Sequence, residues 1–185
     1  MAPRRPYSNR HPQTRKTLKS IGSFRVRLSV AVIDKNEKYR GVMHAILKAC
    51  GVARSVGAEG PREALKCLRN NDIDLILTSY DLPEIDGTQL ISTIRMDRHL
   101  LSRAAPIFCV TGFSEREIVE ASIRAGADDF LVKPIVPSNL FSRMIHHLQH
   151  PLEYFETADY FGPDRRRIKL SGHNGPERRG EESPH

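Results

Sequence analysis

The sequence predicts an α/β protein in which five β-α units build one doubly wound, five-stranded parallel sheet. Three observations carry this: near-continuous apolar runs of strand length, apolar residues at helical spacing between them, and regular alternation of the two from residue 28 to 150. Strands that read as unbroken apolar runs are those covered on both faces. Strands alternating with helices give a parallel sheet with right-handed crossovers.

LSVAVI (28–33) is the first strand, and Tyr39, Met43, Ile46, Leu47 and Cys50 then recur at helical spacing until Gly51. ARSVGA (53–58) is a weaker strand, followed by a helix that Gly60-Pro61 opens and Asn70-Asn71 closes, with Ala64, Leu65 and Leu68 inward. DLILTS (74–79) is the third strand, and Leu90, Ile91 and Ile94 mark the next helix. PIFCVT (106–111) is the fourth. Ser114 and Glu117 then have the spacing of a capping box ahead of a stripe of Ile118, Ala121, Ser122 and Ala125, which ends at Gly126. DFLV (129–132) is the fifth strand, and Leu140, Phe141, Met144, Ile145 and Leu148 form the last helical stripe.

Charge divides the chain into three parts: a basic, disordered arm (1–27), a neutral globular domain (28–150) and a largely disordered C-terminal tail (151–185). The arm holds eight Lys/Arg and no acid, the domain fifteen of each sign, and the tail six basic and seven acidic residues. The net charge of +7 and pI near 9.6 are therefore properties of the arm. Low hydropathy with high charge opposes folding of the arm. It lacks the apolar core of a secretory signal, and Pro3, Pro6 and Pro12 break the amphipathic helix of a transit peptide. No apolar run approaches the ~20 residues that span a bilayer. Cys50, Cys67 and Cys109 have no metal-ligand spacing and read as buried free thiols in a reducing cytoplasm, the expected location.

Ligands of such sheets sit beyond the carboxyl ends of the strands. Those ends read Asp34-Lys35, Ser79, Thr111-Gly112 and Lys133-Pro134. The acid after strand one, LPEIDG (82–87) after strand three, VTG (110–112) and GADDFLVKP (126–134) together resemble, in order and spacing, the receiver domain of two-component response regulators. The resemblance covers about 28 to 150 and implies a CheY-like, flavodoxin-like sheet of order 2-1-3-4-5. It also implies a chemistry: two acids after strand one hold Mg²⁺, an aspartate ending strand three accepts a phosphoryl group, and a Thr and a Lys bind its oxygens. A Lys-Pro cis bond is implied at Pro134. YFGPDRRR (160–167) resembles a tail found on some receiver-like proteins and carries no chemistry that the sequence reveals.

The departures from that pattern concern two residues. Asp34 matches the first acid, or else caps the strand-helix turn; Lys35 stands where the second acid is expected, free to pair with Asp34 and Asp81. Ser79 occupies the phosphoacceptor position, and a neutral hydroxyl attacks only with an adjacent base. Thr111 and Lys133 are retained, for anion contact or, in the case of Lys133, an ion pair with Asp34. Phe130 stands at the position of the switch aromatic without a hydroxyl and reads as packing.

The reading is a pseudo-receiver with no catalytic residue, no metal ligand set, and Mg²⁺ binding weak or absent. It acts by contacts with a signalling protein such as a histidine kinase, a phosphotransferase or a downstream effector, and a homodimer stays open. By resemblance the docking face is the last two helices and fifth strand, with Phe113, Ile123, Leu131 and Met144 as its candidates. Two alternatives stand beside it: phosphoryl transfer to Ser79 or Asp81 with Mg²⁺, and non-specific nucleic-acid binding by the arm. Sequence-specific nucleic-acid reading is not expected, because no helix-turn-helix or zinc pattern follows the domain.

Overall fold

The computed structural model describes residues 28–112 and 116–164 and the backbone of 5–7. In chain order the elements are β1 (Arg5–Tyr7), β2 (Ser29–Ile33), α1 (Glu37–Ala49), β3 (Arg54–Ala58), α2 (Pro61–Asn70), β4 (Leu75–Ser79) and α3 (Gly87–Met96). A 3₁₀ turn (Leu101–Ala104) follows, then β5 (Ile107–Thr111), α4 (Arg116–Ala125), β6 (Asp129–Val132), α5 (Pro137–Gln149), β7 (Tyr154–Glu156) and β8 (Phe161–Pro163).

The β-branched, apolar runs form the central sheet. Its order is β3-β2-β4-β5-β6, every pairing parallel, which is the expected 2-1-3-4-5 when the five are counted among themselves. All of β4 and β5 is buried, as unbroken apolar strands require. On one face Met43 and Leu47 of α1 meet Leu140, Met144 and Leu148 of α5 over Val30, Val32, Leu75, Leu77 and Phe108. On the other, Ala64, Leu68, Leu90, Ile91 and Ile94 of α2 and α3 cover Ala31, Ile33, Ile76 and Cys109.

Local chemistry sets the element ends. Asn36 caps α1 by accepting from the Tyr39 amide, and Asp86 and Gln89 close a reciprocal capping box on α3. The box expected from Ser114 has its cap residue outside the described residues. Gly87 is demanded by closeness: a Cβ there would lie 2.3 Å from the Ser79 carbonyl oxygen, while its amide donates to the Tyr80 carbonyl at 2.7 Å. The LPEIDG turn thereby fixes the loop that follows Ser79.

Four expectations need correction. The tail after 150 does not lack structure over 151–164: β7 and β8 form a hairpin, and Arg5–Tyr7 of the arm joins it as a third antiparallel strand. The hydrophobic reason is that Tyr154 and Phe161 are buried, with Ala104, in a small core of their own. Leu131 and Met144, offered as docking residues, are 4% and 1% exposed and belong to the main core. Of the three cysteines only Cys109 is buried; Cys50 and Cys67 are half-buried and free. The remaining arm and the Arg165–Arg167 run lie outside the described residues.

Candidate functional site

At the carboxyl edge of the sheet, Asp34 directly follows β2 and Ser79 and Thr111 end β4 and β5, and all three are buried. The Lys133 amide donates to the Thr111 carbonyl at 2.7 Å, which ties the loop after β6 to β5. The Lys133-Pro134 bond is cis, as expected.

Asp34 is the electrostatic centre. Its Oδ1 accepts from the Asn36 amide at 2.8 Å and its Oδ2 lies 2.5 Å from the Lys133 ammonium. Its carbonyl accepts from Arg40 Nη1 at 2.7 Å. A carboxylate only 4% exposed needs polar partners, and here it has both a cation and an amide donor. Lys35 does not reach Asp34. It pairs with Asp81, its Nζ 2.7 Å from both carboxylate oxygens, in an exposed position beyond the strand ends. The two acids therefore each hold one lysine.

Tyr39 completes the cluster, a residue that sequence reasoning treated only as part of a helical stripe. The Lys133 ammonium stands 3.9 Å from its ring centroid, close enough for a cation-π contact. Burial, reinforced by the Asp34 charge, pushes the Tyr39 phenol up to about 12. Its hydroxyl is buried and has no hydrogen-bond partner among the described residues. Val32, Ile33, Asp34, Tyr39, Met43, Leu77, Ser79 and Val110 line a small cavity of about 10 Å³ beneath these groups. Pockets for drug-sized ligands start near ~300 Å³, so this cavity, with room for about one water, has no space for an organic substrate.

Of the docking candidates, Ile123 is half-buried on α4 and Phe113 lies outside the described residues. Val132 and Val136, which sequence reasoning passed over, are 43% and 56% exposed beside Lys133. Alternation was the missed signal: Leu131 and Val132 must point to opposite faces of β6. Phe130 is half-buried and packs against the α2–α3 core.

A second polar cluster lies at the other end of the sheet. Arg95 of α3, 1% exposed, donates to the carbonyls of Gly126, Arg103 and Ala105 at 3.0, 2.5 and 2.8 Å and pairs with Asp128 at 2.5 Å. Asp128 also accepts from the Ile107 amide at 2.7 Å and from the Tyr154 hydroxyl at 2.6 Å. This network joins the β7–β8 hairpin to the domain.

The family model of the response regulator receiver domain matches residues 30–145. The chemotaxis protein CheY-3 of Vibrio cholerae serotype O1 is 24% identical over 117 residues, which cover 63% of this chain and 88% of that protein. A receiver domain protein from Methanospirillum hungatei superposes with a TM-score of 0.60 at 24% identity, covering 66% of this chain and 94% of that one. The receiver domain of the sensor histidine kinase PA1611 of Pseudomonas aeruginosa has a TM-score of 0.60 at 23% identity, covering 66% and 98%. That structure carries a magnesium ion in its active-site cleft. Among the described residues here, no helix is long and apolar enough to cross a membrane.

Proposed function

The chain belongs to the response regulator receiver domain family, and from that membership we propose that it is a phosphorylation-independent member, signalling through protein contacts and not through an aspartyl phosphate. The observation that carries this reading is the pairing of both pocket acids with lysines, Asp34 with Lys133 and Asp81 with Lys35, around a serine at the phosphoacceptor position.

A phosphoacceptor must be ionised at neutral pH; a carboxylate is, and the Ser79 hydroxyl is not. The base it would need is lacking too. Asp34 is the near carboxylate, and its two oxygens already serve Lys133 and the Asn36 amide. Asp81 is a poor substitute acceptor, because Lys35 holds both of its oxygens at 2.7 Å in the open.

Mg²⁺ takes carboxylate and water oxygens in near-octahedral order. The donor set here does not fit it: one carboxylate is engaged inward, the other is bound by an ammonium, and Lys35 replaces the second acid. Two unit charges ~4 Å apart at an effective dielectric of ~20 interact by about 4 kcal/mol, doubled for a divalent ion, so Lys35 repels a metal unless it swings into solvent. The domain is then a binding module and not an enzyme. Its partner is a histidine kinase, a phosphotransferase or a downstream effector in the cytoplasm. The contact centres on the exposed side chains of Val132 and Val136, with the half-buried Ile123.

The test is restoration. The Lys35→Asp/Ser79→Asp variant gains Mg²⁺ binding, read from amide shifts at the strand ends during titration, and the wild type gains none over the same range. Equal Mg²⁺ affinity in the two proteins defeats the proposal.

A further inference from the structure

The C-terminus of α5 carries three histidines with two different roles, His146 and His147 in its last turn and His150 as its C-cap. His147 faces inward, its Nε2 3.2 Å from Asp129 Oδ2 and its ring 5.0 Å from Phe108 in an edge contact. His146 and His150 are exposed and lie side by side, with ring centroids 5.0 Å apart and planes 31° from parallel. We propose that His146 and His150 chelate a borderline divalent transition metal, Cu²⁺, Ni²⁺ or Zn²⁺, with water completing the coordination.

Four features support the pair as a site. First, His150 Nδ1 lies 3.2 Å from the His146 carbonyl oxygen. A carbonyl only accepts, so Nδ1 holds the proton and Nε2 presents its lone pair outward, the backing that metal-ligating imidazoles have. Second, the rings stand at the C-terminus of a thirteen-residue helix, where the macrodipole and the free carbonyls favour a cation. Third, the nearest strong cation on that helix, Arg143, is drawn away to Asp129 at 2.5 Å and Asn139 at 3.0 Å. Fourth, the donor type excludes the family's own metal: imidazole nitrogen suits copper, nickel and zinc, whereas Mg²⁺ and Ca²⁺ require oxygen. Because α5 runs back antiparallel to the strands, this pair sits at the end of the sheet away from Ser79, and the inference is independent of the pocket's phosphorylation state.

The experiment is calorimetric titration of the full chain with CuCl₂, NiCl₂ and ZnCl₂ in a non-chelating buffer, with MgCl₂ as control. One site is expected, tightest for Cu²⁺ and silent to Mg²⁺. His146→Ala and His150→Ala each weaken it at least tenfold, and His147→Ala shifts it less than threefold. Both ligands are exposed, so thermal melts of the two variants should match the wild type and separate binding from folding. Undiminished one-site binding in the His146→Ala/His150→Ala variant, or no one-site binding by the wild type, overturns the proposal.

Discussion

The Lys133 ammonium lies 2.5 Å from the Asp34 carboxylate, joining residues 99 positions apart across the carboxyl edge of the sheet. Removing the lysine alone strands a buried charge. Lys133→Met should therefore cost about 1–3 kcal/mol in urea melts, since Lys133 is a quarter exposed and the loss falls short of a fully buried pair. Adding Asp34→Asn should recover part of that cost, a coupling that a double-mutant cycle reads directly. Strict additivity would mean the pair does not interact.

Met144 separates core from docking surface. Met144→Ala should lower stability by about 2–5 kcal/mol, as for other buried large-to-small changes. Val136→Ala, on an exposed side chain, should leave stability within about 0.5 kcal/mol and act only on partner binding. Stability unaffected by Met144→Ala would return that residue to the surface.

The hairpin of β7 and β8 is predicted to be part of the fold. Arg95→Ala leaves Asp128 buried without its cation and should cost about 3–5 kcal/mol. Tyr154→Phe removes one hydrogen bond to the same carboxylate and should cost about 1–3 kcal/mol. Denaturant unfolding checks both, and a Tyr154→Phe protein as stable as wild type would show the hairpin to be dispensable.

Asp129 gives a pH signature. Burial raises its carboxyl, but the hydrogen bonds from His147, the Phe130 amide and Arg143, together with the Arg143 charge, outweigh that and hold it below the usual range. A depressed folded value means the stability it contributes is present above the unfolded pKa of about 4 and is lost as pH falls through the folded one. Stability measured between about pH 6 and 2 should show a flatter acid limb in Asp129→Asn than in wild type. Superimposable limbs would remove Asp129 from the account.

The central sheet was legible because β4 and β5 are buried end to end, so LILTS and IFCVT read as strands without reference to anything else. The hairpin was not. YFE and FGP are three residues each, set among polar neighbours, and they are strands only because Tyr154 and Phe161 find a distant surface to cover. Arg95 was not singled out in the sequence; its burial depends on carbonyls 8, 10 and 31 residues away, and no local pattern announces them. In the pocket, the types and order of Asp34, Ser79, Thr111 and Lys133 were legible from strand ends, and so was the choice Lys133 had between an anion and Asp34. The contact of Lys133 with Tyr39 was not, because a tyrosine in an apolar stripe looks like core. Leu131 and Met144 were assigned to the surface by resemblance, although Met144 shares a four-residue spacing with the buried Leu140 and Leu148.

Intact mass after incubation with a small phosphodonor and Mg²⁺ tests the absence of phosphoryl transfer most directly. The wild-type chain should keep its mass, while Lys35→Asp/Ser79→Asp should gain one phosphate that hydroxylamine removes, as it does an acyl phosphate. A stoichiometric phosphate on the wild type, at Ser79 or Asp81, would contradict the account.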